Sequence, residues 1–298
     1  MTEEMFILQQ DLEEKKDITI RGVNKALYNA FTAYSKKQGL SAGEAFNVIT
    51  TISLQQPWRA HSFRRHKPPI RMGIKPEIIS NMEQLVVTKK DLTAAGEKTM
   101  FLFRNIRKLV FTEDIDPQTL LKHVKMIQKS NVTFPKDIPK IIQLGLTFKK
   151  PFYKHPTNKE ELKDITIRNV SVQLYDELLS KAKEQNKKTG ELFSEILAHN
   201  LSVFEISEEV HSLGGREFLI ISYEESLTVS RKDLEMLGER GVFFYKIKRL
   251  VFIKDVTPEL FLKSILKIVK CQEVILPTNI PRLIVLSRVV DCLKTNIT

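Results

Sequence analysis

Asp17-Ile18-Thr19-Ile20-Arg21 recurs, residue for residue, as Asp164-Ile165-Thr166-Ile167-Arg168, 147 positions downstream. Side chains along a strand alternate between its two faces. Ile18 and Ile20 therefore share one face of the first copy, and Asp17, Thr19 and Arg21 share the other. A strand this short, apolar on one side, needs a partner both for its backbone groups and for its isoleucines. The second copy can supply that partner. Paired antiparallel, the two segments would press Ile18, Ile20, Ile165 and Ile167 inward and present a two-stranded ribbon of polar side chains outward.

The repeat extends beyond the pentapeptide. At the same spacing Val23 matches Val170, Leu27 matches Leu174, Tyr28 matches Tyr175, Gly43 matches Gly190, Glu44 matches Glu191 and Phe46 matches Phe193. Further along, LVFTEDIDPQTLLK (109–122) answers LVFIKDVTPELFLK (250–263), and FPKDIP (134–139) answers LPTNIP (276–281). The chain thus reads as two copies of one unit, each with a front and a back module. In the front module a helix follows the strand, capped by Asn24 or Ser171. Its apolar positions (Leu27, Ala30, Phe31 and Tyr34; Leu174, Leu178 and Ala182) recur at helical spacing. It ends at Gly39 or Asn186, residue types that tolerate the left-handed conformation. A second helix then begins, with Ser41 and Glu44 as a capping box in copy one. The buried stripe of this helix is Ala45, Phe46, Ile49 and Ile52, matched by Leu192, Phe193, Ile196, Leu197 and Leu201.

The back modules read as strand-helix-strand. Strands are expected at Met100–Phe103, Leu109–Phe111 and Val132–Phe134. A helix is expected from Pro117 carrying Leu120, Leu121, Val124 and Ile127. Copy two repeats this with strands at Val242–Tyr245, Leu250–Ile253 and Val274–Leu276 and a helix from Pro258. The expected architecture is α+β: a tandem duplication whose two strand-helix-helix motifs pair as a pseudo-dimer, each followed by a small α/β module. The partition is a tail over 1–16, a first motif over 17–56, a basic arm or linker over 57–84 and an α/β module over 85–150. A linker over 151–163, a second motif over 164–203 and a second α/β module over 204–298 complete it.

Strand, helix and helix in this order, with alternating polar residues on the strand, resembles the ribbon-helix-helix DNA-binding family of the MetJ and Arc repressors. The ITIRxV start is especially similar to its antitoxin-type members. Two such motifs on one basic chain resemble the tandem ribbon-helix-helix regulators of archaeal filamentous viruses. The resemblance covers about a quarter of the chain and leaves out the back modules. Family members usually pair by homodimerisation, whereas here one chain carries both halves. The resemblance implies that Asp17, Thr19 and Arg21, with Asp164, Thr166 and Arg168, face the bases of a major groove. Arginine suits guanine O6 and N7, threonine an acceptor or a thymine methyl, and aspartate cytosine N4. It also implies phosphate contact at the start of the second helix, where free N–H groups and the helix dipole favour an anion. Ser41 and Ala42 take that position in copy one, and Lys188 and Thr189 in copy two.

Composition agrees with an anionic partner. The 298 residues carry a formal net charge of +11, and 42% of them are hydrophobic, enough for a sizeable core. The segment Trp58–Arg71 (WRAHSFRRHKPPIR) reads either as an arm gripping phosphates, with Arg64 and Arg65 at its centre, or as a solvated linker. TAAGEKT (93–99) lacks the upstream glycine of a phosphate-binding loop and reads as a turn. Cys271 and Cys292 have no metal-ligand spacing, and no histidine pair stands at i, i+4. No nucleophile-and-base arrangement is recognisable. The expectation is a non-enzymatic, cofactor-free, sequence-specific regulator of transcription that binds double-stranded DNA. Its place is the cytoplasm, that of the host cell if it is viral, and no segment reads as a membrane span. Two other readings stand beside it. One is an architectural or genome-coating protein that self-associates or forms a filament on DNA. The other is an antitoxin-like DNA-binding protein with a protein partner. Whether the ribbon forms within one chain or between chains is open, with the short reach favouring the intramolecular pair.

Overall fold

A computed structural model describes residues 14–55, 76–94, 96–147, 153–210 and 217–298. The segment holding Trp58–Arg71, including Arg64 and Arg65, lies outside them. The chain divides into two compact units, neither continuous in sequence: 1–71 with 151–211, and 72–150 with 212–298. The front modules of both copies make up the first unit and the back modules the second.

The first unit is built on one two-stranded antiparallel ribbon, Lys15–Asn24 against Leu162–Ser171. Ile18 lies opposite Ile167, Thr19 opposite Thr166 and Ile20 opposite Ile165, so the centre of the repeat is the centre of the ribbon. The four isoleucines are 1–4% exposed, as the alternation requires. Burying each contributes about 2 kcal/mol. They pack on Phe31, Phe46, Phe193, Ile49, Leu178 and Leu197 from the four helices, with Phe46 and Phe193 meeting at 5.2 Å between ring centres. Those helices are Lys25–Lys37 and Ala42–Thr50 in copy one, and Val172–Glu184 and Thr189–Val210 in copy two. Asn24 and Ser171 cap the first helix of each copy, accepting from the N–H groups of Leu27 and Leu174. Gly39 and Asn186 turn the chain with φ of 70° and 51°.

The copies are interlocked. The N–H of Asn24 donates to Ser194 Oγ, and the N–H of Ser171 donates to Asn47 Oδ1, so each second helix holds the cap of the other copy's first helix. Gly43 and Gly190 set the closeness of this packing. A Cβ on Gly43 would lie 2.0 Å from the Arg168 carbonyl oxygen, and one on Gly190 would lie 2.1 Å from that of Arg21. Any larger residue there forces helix and strand apart.

The second unit overturns the expected fold class. The described residues are α/β, with fourteen strands in four sheets and ten α-helices, and three of the sheets are parallel. The back modules are not two small α/β appendages to a ribbon-helix-helix pair. They share one core in which Ile106, Leu109 and Leu120 of one copy join Ile247, Leu250 and Phe261 of the other. The unit is a stack of coils, each a strand, a sharp corner and a second strand, followed in all but the last by a short helix. The corner residues adopt positive φ: Asn81, Asn105, Lys129, then Tyr223, Lys246, Lys270 and Asp291. They recur every 21 to 24 residues on either side of the intervening segment. Residues one coil apart consequently meet. Asn105 donates to Asn81 at 2.8 Å, Arg249 pairs with Glu273 at 3.2 Å, and Lys263 pairs with Glu239 at 3.1 Å.

Individual elements change with the fold class. The helix from Pro117 stops at His123, and Val124–Gln128 is a strand pairing parallel with Phe101–Arg104. Met100–Phe103 and Leu109–Phe111 belong to one strand, Phe101–Phe111, with Asn105 as its corner. Copy two behaves alike: the helix Pro258–Ser264 gives way to the strand Ile265–Val269. A further strand, Glu77–Val87, occupies part of the stretch read as arm or linker. Helices of five to seven residues are too short to show a 3.6-residue period, which is why the coils were not apparent.

Gly190→Ala is expected to destabilise the protein by about 3 kcal/mol, because the added methyl meets backbone that cannot turn aside. Gly39→Ala, which meets open space but sits at positive φ, should cost only about 1 kcal/mol. Denaturant melts of the two variants check the order. Equal effects would show that the close approach does not matter.

Candidate nucleic-acid interface

The outward face of the ribbon holds all six residues expected to face bases. Asp17, Thr19 and Arg21 are exposed, as are Asp164, Thr166 and Arg168. The hydroxyls of Thr19 and Thr166 stand 3.4 Å apart across the strands and mark the middle of the face. Toward each end the ladder carries a bulge. Arg21 and Gly22 together oppose Asp164, and Arg168 and Asn169 together oppose Asp17. A bulge places two residues against one and bends its strand, re-aiming a side chain. Here the residues re-aimed are Arg21 and Arg168.

The aspartates secure these bulges. Asp164 Oδ1 accepts from the N–H of Gly22 at 2.9 Å, and Asp17 Oδ1 accepts from that of Asn169 at 3.2 Å. Gly22 and Asn169 have φ of 68° and 61°, the left-handed region that these two residue types enter most readily. Asp17 also stands 3.9 Å from the Arg168 guanidinium. Each carboxylate thus has a structural task in the ribbon itself. On the inner side, the carbonyls of Arg21 and Arg168 lie against Gly190 and Gly43. Strand, bulge and helix start are therefore one rigid assembly at each end.

The two helix starts differ. Ser41 accepts from the N–H of Glu44 at 3.2 Å and donates its own N–H and hydroxyl to Glu44 Oε2 at 2.9 and 2.8 Å. The copy-one start therefore already carries a carboxylate, with Ala42 as the first helical residue. In copy two Lys188 precedes the helix, its carbonyl accepts from Leu192, and Thr189 opens the helix. Lys188 and Thr189 line a groove of about 800 Å³ together with Thr19, Arg21, Tyr175 and Lys183. The fold thus brings a strand-borne arginine of copy one to the helix start of copy two. Sequence reasoning missed Lys183, whose place in the last turn of the preceding helix was the available signal. It also missed Lys16 and Lys163. These flank the ribbon and lie over the Tyr175 and Tyr28 rings at 5.3 and 4.4 Å. Burial pushes the Tyr28 phenol above its ordinary pKa.

Among the described residues no group of three or more His, Cys, Asp or Glu side chains could hold a metal ion. No helix among them is long and apolar enough to cross a membrane. Cys271 and Cys292 are free thiols in the second unit. No protein-family model, curated protein or solved structure matches this chain.

Asp164→Ala is expected to lower stability by roughly 1 kcal/mol, the net value of a lost hydrogen bond to the bulge. Asp164→Asn keeps an oxygen acceptor and should recover most of that loss. Thermal melts of both variants check this, and an equal loss in Asp164→Asn would mean that charge rather than the acceptor matters.

Proposed function

We propose that the protein is a sequence-specific regulator of transcription that reads the major groove of double-stranded DNA with the ribbon Lys15–Asn24/Leu162–Ser171. The supporting observation is the exposed polar face centred on Thr19 and Thr166, with Arg21 and Arg168 re-aimed by matching bulges. A two-stranded ribbon fits the width of a major groove. The approximate twofold relation across Thr19 and Thr166 matches the local symmetry of a duplex, one strand of the ribbon for each half-site. In this reading the first unit would work as ribbon-helix-helix regulators do, in the manner of the tandem regulators of archaeal filamentous viruses.

Each arginine would donate two hydrogen bonds to a guanine, which discriminates by about 1–3 kcal/mol. The threonines, at the centre, would read the middle of the site. The aspartates would serve the arginines by holding the bulges, so their charge stays engaged with ribbon backbone beside the DNA. Affinity common to all sequences would come from the surrounding lysines through counterion release. No catalytic step is part of this reading.

Sites selected from a random duplex library should yield one consensus, and random-sequence DNA should compete poorly for it. Arg21→Ala combined with Arg168→Ala should abolish preference for that consensus and leave weak, steeply salt-dependent binding. A double variant that discriminates as well as the wild type would remove the ribbon as reader. Selection of no consensus, with equal competition by any duplex, would favour an architectural role.

A further inference from the structure

We infer that the two halves of the DNA-binding face are unequal, and that the end carrying Arg21, Lys183 and Lys188 grips the phosphate backbone of one half-site far more strongly than the Arg168 end grips the other. This rests on the DNA reading above and adds a polarity to it. The protein would bind its site in a single orientation.

The inference follows from comparing equivalent residues across the 147-residue repeat. At one end, Arg21 stands in the groove with Lys183, Lys188 and Thr189, and no carboxylate lines that groove. Lys187 joins them, its ammonium 2.7 Å from Glu195. At the other end the counterparts of Lys183, Lys187, Lys188 and Thr189 are Lys36, Leu40, Ser41 and Ala42. Two of the three lysines are therefore absent there. Each arginine has an aspartate beside its bulge, Asp17 at the Arg168 end and Asp164 at the Arg21 end, so the difference lies at the helix start, where the Glu44 carboxylate sits on the N–H and hydroxyl of Ser41. Its copy-two counterpart, Glu191, has Lys188 rather than a serine at the cap position.

A phosphate approaching the Arg21 end meets Arg21, Lys183 and Lys188, with Lys187 held by Glu195. One approaching the Arg168 end meets Arg168, Lys36 and Lys37, the last standing where copy two has Glu184, and finds the Glu44 carboxylate at the helix start where copy two has Lys188. Base readout by Arg21 and Arg168 can remain balanced while phosphate contact is not. The resulting site has two similar half-sites on which the protein nevertheless lies in one direction.

The test uses the full chain and a duplex of about 30 base pairs bearing the selected consensus. Each phosphate contact contributes about 0.9 to the slope of log affinity against log salt. Lys183→Ala with Lys188→Ala should lower that slope by about 2. Lys36→Ala with Lys37→Ala, at the opposite end, should lower it by no more than about 1. Ser41→Lys, which copies Lys188 into the weaker half, should raise it by about 1. Phosphate-ethylation interference on the wild-type complex should crowd into one half-site. Specific binding with equal slope losses from both lysine pairs and symmetric interference would overturn this inference alone. Failure to bind any duplex would overturn it together with the DNA reading. All these lysines are exposed or half-buried, so melting curves should match the wild type and show that the variants are folded.

Discussion

The first unit depends on the antiparallel pairing of two isoleucine-backed strands, tightened by two glycines. Without Ile18, Ile20, Ile165 and Ile167 on one face, neither strand has a reason to pair. Without hydrogen at the α-carbons of Gly43 and Gly190, the second helices cannot reach the bulge carbonyls of Arg168 and Arg21. Each contact joins a helix of one copy to a strand of the other. Folding of one copy is thus incomplete until the other arrives, and duplication within one chain makes that arrival intramolecular. The loop-closure cost of the long intervening segment grows only with the logarithm of its length.

The same geometry connects packing to chemistry. A bulge is ordinarily a local weakness, because the extra residue leaves the ladder. Here the orphaned N–H groups of Gly22 and Asn169 find Asp164 and Asp17, while the carbonyls before them lie against the helix starts. The bulge is therefore fixed from both sides, and the guanidinium it projects starts from a rigid base. Rigid presentation matters for recognition because less freedom is lost when contacts form. The acidic members of DITIR, awkward beside a polyanion, become intelligible as supports for the basic ones.

Much of the first unit was legible in the sequence. Alternation in DITIR marked buried and exposed faces, and the recurrence of Asn24/Ser171 and Gly39/Asn186 marked caps and turns, whereas Gly43/Gly190 showed only as a repeated identity and the close approach it permits came from the fold. The bulges were not legible, because a pattern of alternation does not reveal where one strand gains a residue on its partner. The coils of the second unit escaped for a different reason. Comparing the copies at a shift near 142 aligned LVFTEDIDP with LVFIKDVTP and hid a shorter period running through both. That period is visible once the corners at Asn81, Asn105, Lys129, Tyr223, Lys246, Lys270 and Asp291 are known. Only two of the seven are asparagine, the non-glycine residue most at ease at positive φ, and none is glycine. Val124 and Ile127 misled for a related reason. Their spacing suits a helix face, and their pairing with the neighbouring coil decided otherwise.

The charge asymmetry became visible only when the fold placed Lys183, Lys187 and Lys188 beside Arg21, which precedes them by more than 160 residues. Threonine-methyl NMR of the full chain, titrated with the selected duplex, tests the central claim most directly. Thr19 and Thr166 lie at the middle of the proposed reading face, so both methyl signals should shift strongly and saturate together at one duplex per chain. Unchanged Thr19 and Thr166 signals, with shifts confined to threonines of the second unit such as Thr228 and Thr257, would place the DNA elsewhere and contradict the account.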